Sequence, residues 1–162
     1  MAEYIQKFSK KKIRVMIHAS ASIESSVLML TCAKLGLHFS VIFEELETLG
    51  IKSRLNLFKP NIFFSRLSQK SFQKKMRFTS FRKIKFVFGD QLKDFFKKKG
   101  KAKYINSKAV TSSNSLFTLF TSGSTGVPKG ITHSTGGYLL YSKLTCQNQF
   151  GINENSIVLT AS

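Results

Sequence analysis

Short apolar runs alternate with helix-like segments from residue 13 onward, and this alternation limits the folds open to the chain more than any other feature. Ile13 to His18, IRVMIH, is short and rich in branched residues, as a strand is. His38 to Phe43, HFSVIF, is a continuous apolar run of strand length, which suits a strand covered on both faces in a parallel sheet. Asn61 to Ser65 and Ile84 to Phe88 give a third and a fourth strand. Between them, Glu24 to Leu35 places Val27, Leu28, Leu30, Thr31 and Leu35 at helical spacing, with Ser22 as N-cap and Gly36 as stop. Thr48 to Phe58 is a second helix ended by Lys59-Pro60, and Gln69 to Phe78 a third. Strand and helix in strict alternation imply an α/β fold with a parallel sheet.

The remaining elements follow from the same reading. Gln91 to Tyr104 is a lysine-rich, exposed helix, and Thr111 to Ser115 is a linker or surface loop. Leu116 to Phe120, LFTLF, is a buried strand; Ile131 to His133 is a short extended piece; Tyr138 to Asn148 is helical. Ser156 to Thr160 begins another strand.

Between Leu116–Phe120 and Ile131 stands the segment with the clearest chemistry, TSGSTGVPKG, Thr121 to Gly130. Gly123 and Gly126 let the backbone approach a ligand closely and turn successive amides into one concavity, which binds anions. The hydroxyls of Thr121, Ser122, Ser124 and Thr125 add donors without bulk. Lys129 supplies a point charge for phosphate oxygens, and Pro128 stiffens the loop exit. Such a site suits the triphosphate of ATP. It is not a Walker A loop, because Pro128 precedes the lysine and Gly130 follows it where Gly and Ser or Thr are required. The spacing of Gly123 and Gly126 also fails GxGxxG.

TSGSTGVPKG resembles the signature of the adenylate-forming superfamily of acyl-CoA synthetases, luciferases and peptide-synthetase adenylation domains. THSTGGYLLYSKLT, Thr132 to Thr145, is similar to the stretch that follows this loop in acetyl-CoA and propionyl-CoA synthetases. Ser22 to Phe43 resembles the same family's early helix and strand, while Ser65 to Lys108 matches poorly. The resemblance implies an incomplete, parallel-sheet part of the large N-terminal domain of an adenylate-forming enzyme. Residues 1–108 would be its early α/β portion and residues 109–162 the portion with the phosphate loop. It implies ATP-dependent attack of a short-chain carboxylate on the α-phosphate, then transfer of the acyl group to CoA. By resemblance Thr121, Ser122, Gly123, Ser124, Thr125 and Gly126 hold the β- and γ-phosphates with Lys129 helping, and Mg2+ assists.

The chain also departs from that family. HASASIE lacks the proline-containing stretch before Glu24, and Glu44-Glu45-Leu46 stands where Gly-Gly-Phe is usual. Nothing near Arg66 to Lys75 matches the segment that contacts the CoA nucleotide, so no CoA site is carried over. The family's acid pocket, ribose-binding aspartate and late catalytic lysine lie beyond the point matching Ser162. The expectation is therefore a fragment without complete ligase activity, or one half of a split enzyme whose C-terminal part is separately encoded.

Charge raises a different class of function. The net charge is +18, and 18 of the 26 Lys and Arg lie between Lys52 and Lys108, against only Asp90 and Asp94. Such a block would attract nucleic acid, anionic lipid or phosphorylated ligands. No RNA-binding aromatic motif or helix-turn-helix pattern accompanies it. Lysine far exceeds arginine, phenylalanine reaches 16 and tryptophan is absent, which points to compositional drift across the whole chain. Cys32 and Cys146 are expected to be free thiols of a cytoplasmic protein, and the three histidines lack metal-ligand spacing. No uncharged apolar run is long enough to span a membrane.

Overall fold

A computed structural model describes residues 5, 13–76, 83–97, 104–122 and 127–159. Six strands form one sheet in the order β4-β3-β1-β2-β5-β6. They are β1 (Arg14–His18), β2 (His38–Ile42), β3 (Ile62–Ser65), β4 (Lys85–Val87), β5 (Ser115–Thr121) and β6 (Lys129–Ser134). The first five run parallel, and β6 returns antiparallel to β5. The helices are α1 (Ile23–Lys34), α2 (Thr48–Phe58), α3 (Gln69–Met76), α4 (Gly89–Lys97) and α5 (Thr135–Asn148).

The helix boundaries have local causes. Ser22 accepts the Ser25 amide and Ser25 returns a bond to the Ser22 amide, a reciprocal cap worth about 1 kcal/mol. Gly36 at φ +62° ends α1, and the Leu37 amide closes back on the Cys32 carbonyl at 2.9 Å. Lys59 takes the left-handed conformation after α2, φ 49°, and Pro60 prevents continuation.

Each face of the sheet has its own core. On one, Val15, Ile17 and Phe64 pack with Leu28, Cys32 and Leu35 of the α1 region and Leu92 of α4. On the other, Met16, Phe63 and Ile42 pack with Ile51, Leu55 and Phe58 of α2 and Phe72 and Met76 of α3. Four phenylalanines gather there, with Phe63, Phe72 and Phe86 ring centroids 5.2–5.7 Å apart and Phe88 5.6 Å from Phe72. Both faces of β1 and all of β3 are covered, as an apolar strand in a doubly wound sheet requires.

Several expectations need correction. Residues 156–159 form no strand: Ile157 and Leu159 are fully exposed, and among the described residues no strand pairs with them. The extended piece at Ile131–His133 is the centre of a six-residue antiparallel strand. β5 is half buried, with Phe117 and Thr118 inside and Leu119 exposed. Leu30 lies on the outer side of α1, whose inward stripe is Ser25, Leu28 and Cys32. The helix expected from Gln91 starts at Gly89 and buries Leu92, so it is not wholly exposed. Thr111–Ser115 is a surface loop, as expected, with its last residue in β5; Ser112 and Asn114 carbonyls pin it by accepting the Gly136 and Thr135 amides, both at 2.8 Å. Phe78 and residues 98–103 lie outside the described residues.

Candidate functional site: the loop between β5 and β6

β5 lies parallel to β2, so the loop that follows it leaves the sheet at the end where β1, β2 and β3 also finish. Ligands of open α/β sheets bind outside this carboxyl end. Thr121 is the last residue of β5 and Lys129 the first of β6, and the two are facing partners in the antiparallel ladder. The expected phosphate ligands Thr121 and Lys129 are thus brought together at the loop's base, both exposed, with exposed Ser122 beside them. Gly123, Ser124, Thr125 and Gly126 lie outside the described residues.

The base of the loop is shaped by close packing. Gly130 faces Phe120 across the ladder, and a Cβ there would lie 3.1 Å from the Thr118 methyl and 3.3 Å from the Phe120 ring. The Arg54 guanidinium of α2 sits over the other part of this contact, 5.6 Å from the Phe120 ring centre. After β6, Ser134 caps α5 by accepting the Gly137 amide. Gly136 packs against Ser112, where an added Cβ would meet the Ser112 Cβ at 2.6 Å. The hairpin, the turn before it and the helix after it therefore form one packed unit.

Two strands away, about 10 Å at ordinary strand spacing, the same carboxyl end holds a second polar group that sequence reasoning missed. His18 ends β1 and is fully buried, with Nδ1 3.0 Å from the Ser65 hydroxyl at the end of β3. Its Nε2 has no hydrogen-bond partner among the described residues. Burial, and secondarily the nearby Lys75 ammonium, push its pKa down to about 4. Just above, Glu44 accepts from the Ser20 hydroxyl and from Arg66 Nε, both at 3.0 Å. Burial pulls that carboxyl upward, but the bonds from Arg66 and Ser20 outweigh it and hold it below the ordinary value. The Glu44 carbonyl accepts Lys75 Nζ at 2.6 Å. The signal in the sequence was positional: His18, Ser20, Glu44, Ser65 and Arg66 each sit at, or just after, the end of a strand. The crevice below them admits no water-sized group, being closed by Ser25, Leu28, Arg66 and Leu92.

Among the described residues no cluster of His, Cys, Asp or Glu could hold a metal ion. None of the helices described is long and apolar enough to cross a membrane. Cys32 and Cys146 are free thiols.

Residues 1–162 match the family model described as AMP-binding enzyme. The chain belongs to the AMP-binding enzyme family. Acetyl-coenzyme A synthetase 2 of Debaryomyces hansenii is 31% identical over 94% of this chain, but the match covers 26% of that protein. The 3-hydroxypropionyl-coenzyme A synthetase of Sulfurisphaera tokodaii is 45% identical over 40% of this chain and 10% of its own length. Among solved structures, the O-succinylbenzoate coenzyme A synthetase of Bacillus subtilis, determined with ATP and magnesium ion, superposes with a TM-score of 0.70 at 18% identity. It covers 94% of this chain and 38% of its own. The AMP-binding family fold is thus shared, and the chain spans about a quarter of the length of its acetyl-CoA synthetase relative.

Proposed function

We propose that the chain supplies the ATP-phosphate-binding part of a CoA ligase that activates a short-chain carboxylic acid as its adenylate. The observation that carries this is the TSGSTGVPKG loop at the carboxyl end of the sheet, with Thr121 and Lys129 facing each other at its base. In the complete reaction the carboxylate attacks the α-phosphate, pyrophosphate leaves, and the CoA thiol then displaces AMP from the acyl carbon. This chain's share is to hold the departing β- and γ-phosphates. Hydroxyls of Thr121, Ser122, Ser124 and Thr125 and the amides of Gly123 and Gly126 would donate to their oxygens. Lys129 would offset charge that grows on the leaving pyrophosphate.

Exposed donors and a lysine with no carboxylate among the described loop residues fit a polyphosphate. They do not fit a protein-held cation, so Mg2+ would arrive on the nucleotide rather than wait in a site of its own. Residues 1–108 and 109–162 are read as two portions of one adenylation domain in a cytoplasmic enzyme. The acid pocket and CoA contacts belong to polypeptide that matches the rest of the relatives. Exposed Tyr138, Leu139, Leu140, Tyr141 and Leu144 of α5, a helix with no buried residue, support such a further part, joined to this chain or separately encoded.

Equilibrium binding of ATP with Mg2+ to the purified chain tests the proposal. Binding should weaken roughly tenfold in Lys129→Ala, the worth of one charge-assisted bond of about 1.5 kcal/mol. Acetate, CoA and ATP together should release no pyrophosphate from this chain alone. Equal ATP affinity for wild type and Lys129→Ala overturns the phosphate role, and CoA-dependent pyrophosphate release overturns the partial role.

A further inference from the structure

The hairpin that carries the loop registers with the sheet through fewer facing pairs than the central strands share. β1 and β2 register through five facing pairs, whereas β2 and β5 register through one, Phe39 with Phe117. The β5–β6 register is itself irregular between Ser115 and Phe117. Side chains take over where backbone pairing is sparse. On the α2 side of the sheet, His38 Nε2 lies 2.8 Å from Thr118 Oγ1, and Thr118 Oγ1 lies 2.7 Å from Thr132 Oγ1. The Ser40 hydroxyl donates to the Thr118 carbonyl at 2.7 Å. Ser40 is fully buried and Thr118 nearly so. An edge-on contact with Phe58 of α2, ring centroids 4.9 Å apart, steadies the His38 ring. A polar chain thus crosses β2, β5 and β6 at a place where an apolar strand face would ordinarily slide by two residues at little cost in pattern.

We propose that His38, Ser40, Thr118 and Thr132 form a polar pin that fixes the register of the β5–β6 hairpin on the sheet, and so positions the phosphate loop. These are positioning residues: none needs to touch the nucleotide. Each threonine hydroxyl has a single proton, so the chain runs in one direction, set by which His38 tautomer is present. Thr118 is its centre, bonded to His38 and Ser40 of β2 on one side and to Thr132 of β6 on the other. The consequence for ATP rests on the loop being a phosphate site; the consequence for register does not.

The test is residue-resolved amide hydrogen exchange with ATP binding on Thr118→Val, which keeps the shape and removes the hydroxyl. Protection of residues 117–120 and 129–132 should fall by roughly five- to tenfold, the worth of about one buried hydrogen bond, while residues 15–17 and 63–64 keep theirs. ATP affinity should fall by a similar factor. Exposed Thr132→Val, which should leave the core intact, should reproduce the loss in residues 129–132 alone. His38→Gln, which keeps a nitrogen at similar reach, should recover protection that His38→Leu loses. Uniform loss of protection across all strands, or no loss in either threonine variant, overturns the pin. If wild type binds no ATP, the phosphate reading fails, and the pin is decided by exchange alone. If exchange changes as described and ATP affinity does not, the pin does not position the loop.

Discussion

Acidification should destabilise this fold through His18. The imidazole is fully buried and its pKa is held at about 4, against an ordinary value of 6.5. Folded, it stays neutral to about pH 4; unfolded, it takes a proton below about 6.5. The unfolded state therefore binds more protons between these values, and stability rises with pH across that window. The stabilisation is complete above pH 6.5 and is lost as pH falls toward 4. At about 1.4 kcal/mol per pH unit, the separation amounts to about 3 kcal/mol, a large share of a domain's usual 5–15 kcal/mol. Glu44 acts in the same direction: its depressed carboxyl contributes stability that is present above the ordinary value of 4.5 and is lost as pH falls below it. Denaturant unfolding followed by far-ultraviolet circular dichroism at several pH values between 4 and 7 measures the slope. His18→Leu fills the same apolar surroundings without a titrating group, and the Ser65 hydroxyl still accepts the Leu67 amide. The variant should lose most of the slope between pH 4 and 6.5, whatever its stability at pH 7. Parallel curves for wild type and His18→Leu would refute the reasoning.

Other consequences are open to measurement. A Cβ at Gly89 would lie 2.1 Å from the Arg66 carbonyl oxygen, so Gly89→Ala must displace backbone where α4 meets the end of β3. It should cost about 1–3 kcal/mol, read as a lower denaturation midpoint. Phe63→Ala removes the ring against which Phe72 and Phe86 pack and should cost about 3–5 kcal/mol in the same assay. Cys32 is fully buried and its thiol is pushed up to about 12 by that burial, whereas Cys146 is half-buried. A thiol reagent should modify Cys146 in the native chain and Cys32 only after denaturant is added, seen as two steps in mass.

The first half of the fold was legible because its signals are local and agree. The apolar runs at residues 13–18, 38–43 and 61–65 became β1, β2 and β3, with ends shifted by one residue. Ser22, Gly36 and Lys59-Pro60 bounded their helices as cap and turn chemistry dictates. Leu30 shows the limit of periodicity: α1 carries apolar residues on more than one side, and only the sheet's position selects Leu28 and Cys32. The antiparallel return of β6 was hidden because Lys129, Gly130, Ile131 and Thr132 are all exposed, so no face carries an alternating pattern. The apolar Ile157-Val158-Leu159 reads as a strand, but a strand needs a partner edge and among the described residues none pairs with it. At the candidate site, the glycine-and-hydroxyl composition marked the loop. The pairing of His18 with Ser65 and of Glu44 with Arg66 joins residues 47 and 22 positions apart, a distance no local pattern reports.

The outward face of α5 has a colloidal consequence. It presents Leu139, Leu140, Tyr141 and Leu144 to water on a chain of net charge +18. At low ionic strength the charges keep copies apart, because their repulsion reaches about 30 Å at 0.01 M. At 1 M salt it reaches about 3 Å, shorter than a side chain, and contact between apolar helices is no longer opposed. The chain should therefore be most dispersed in dilute buffer and should self-associate as salt is added, the reverse of a protein whose copies are held together by complementary charge.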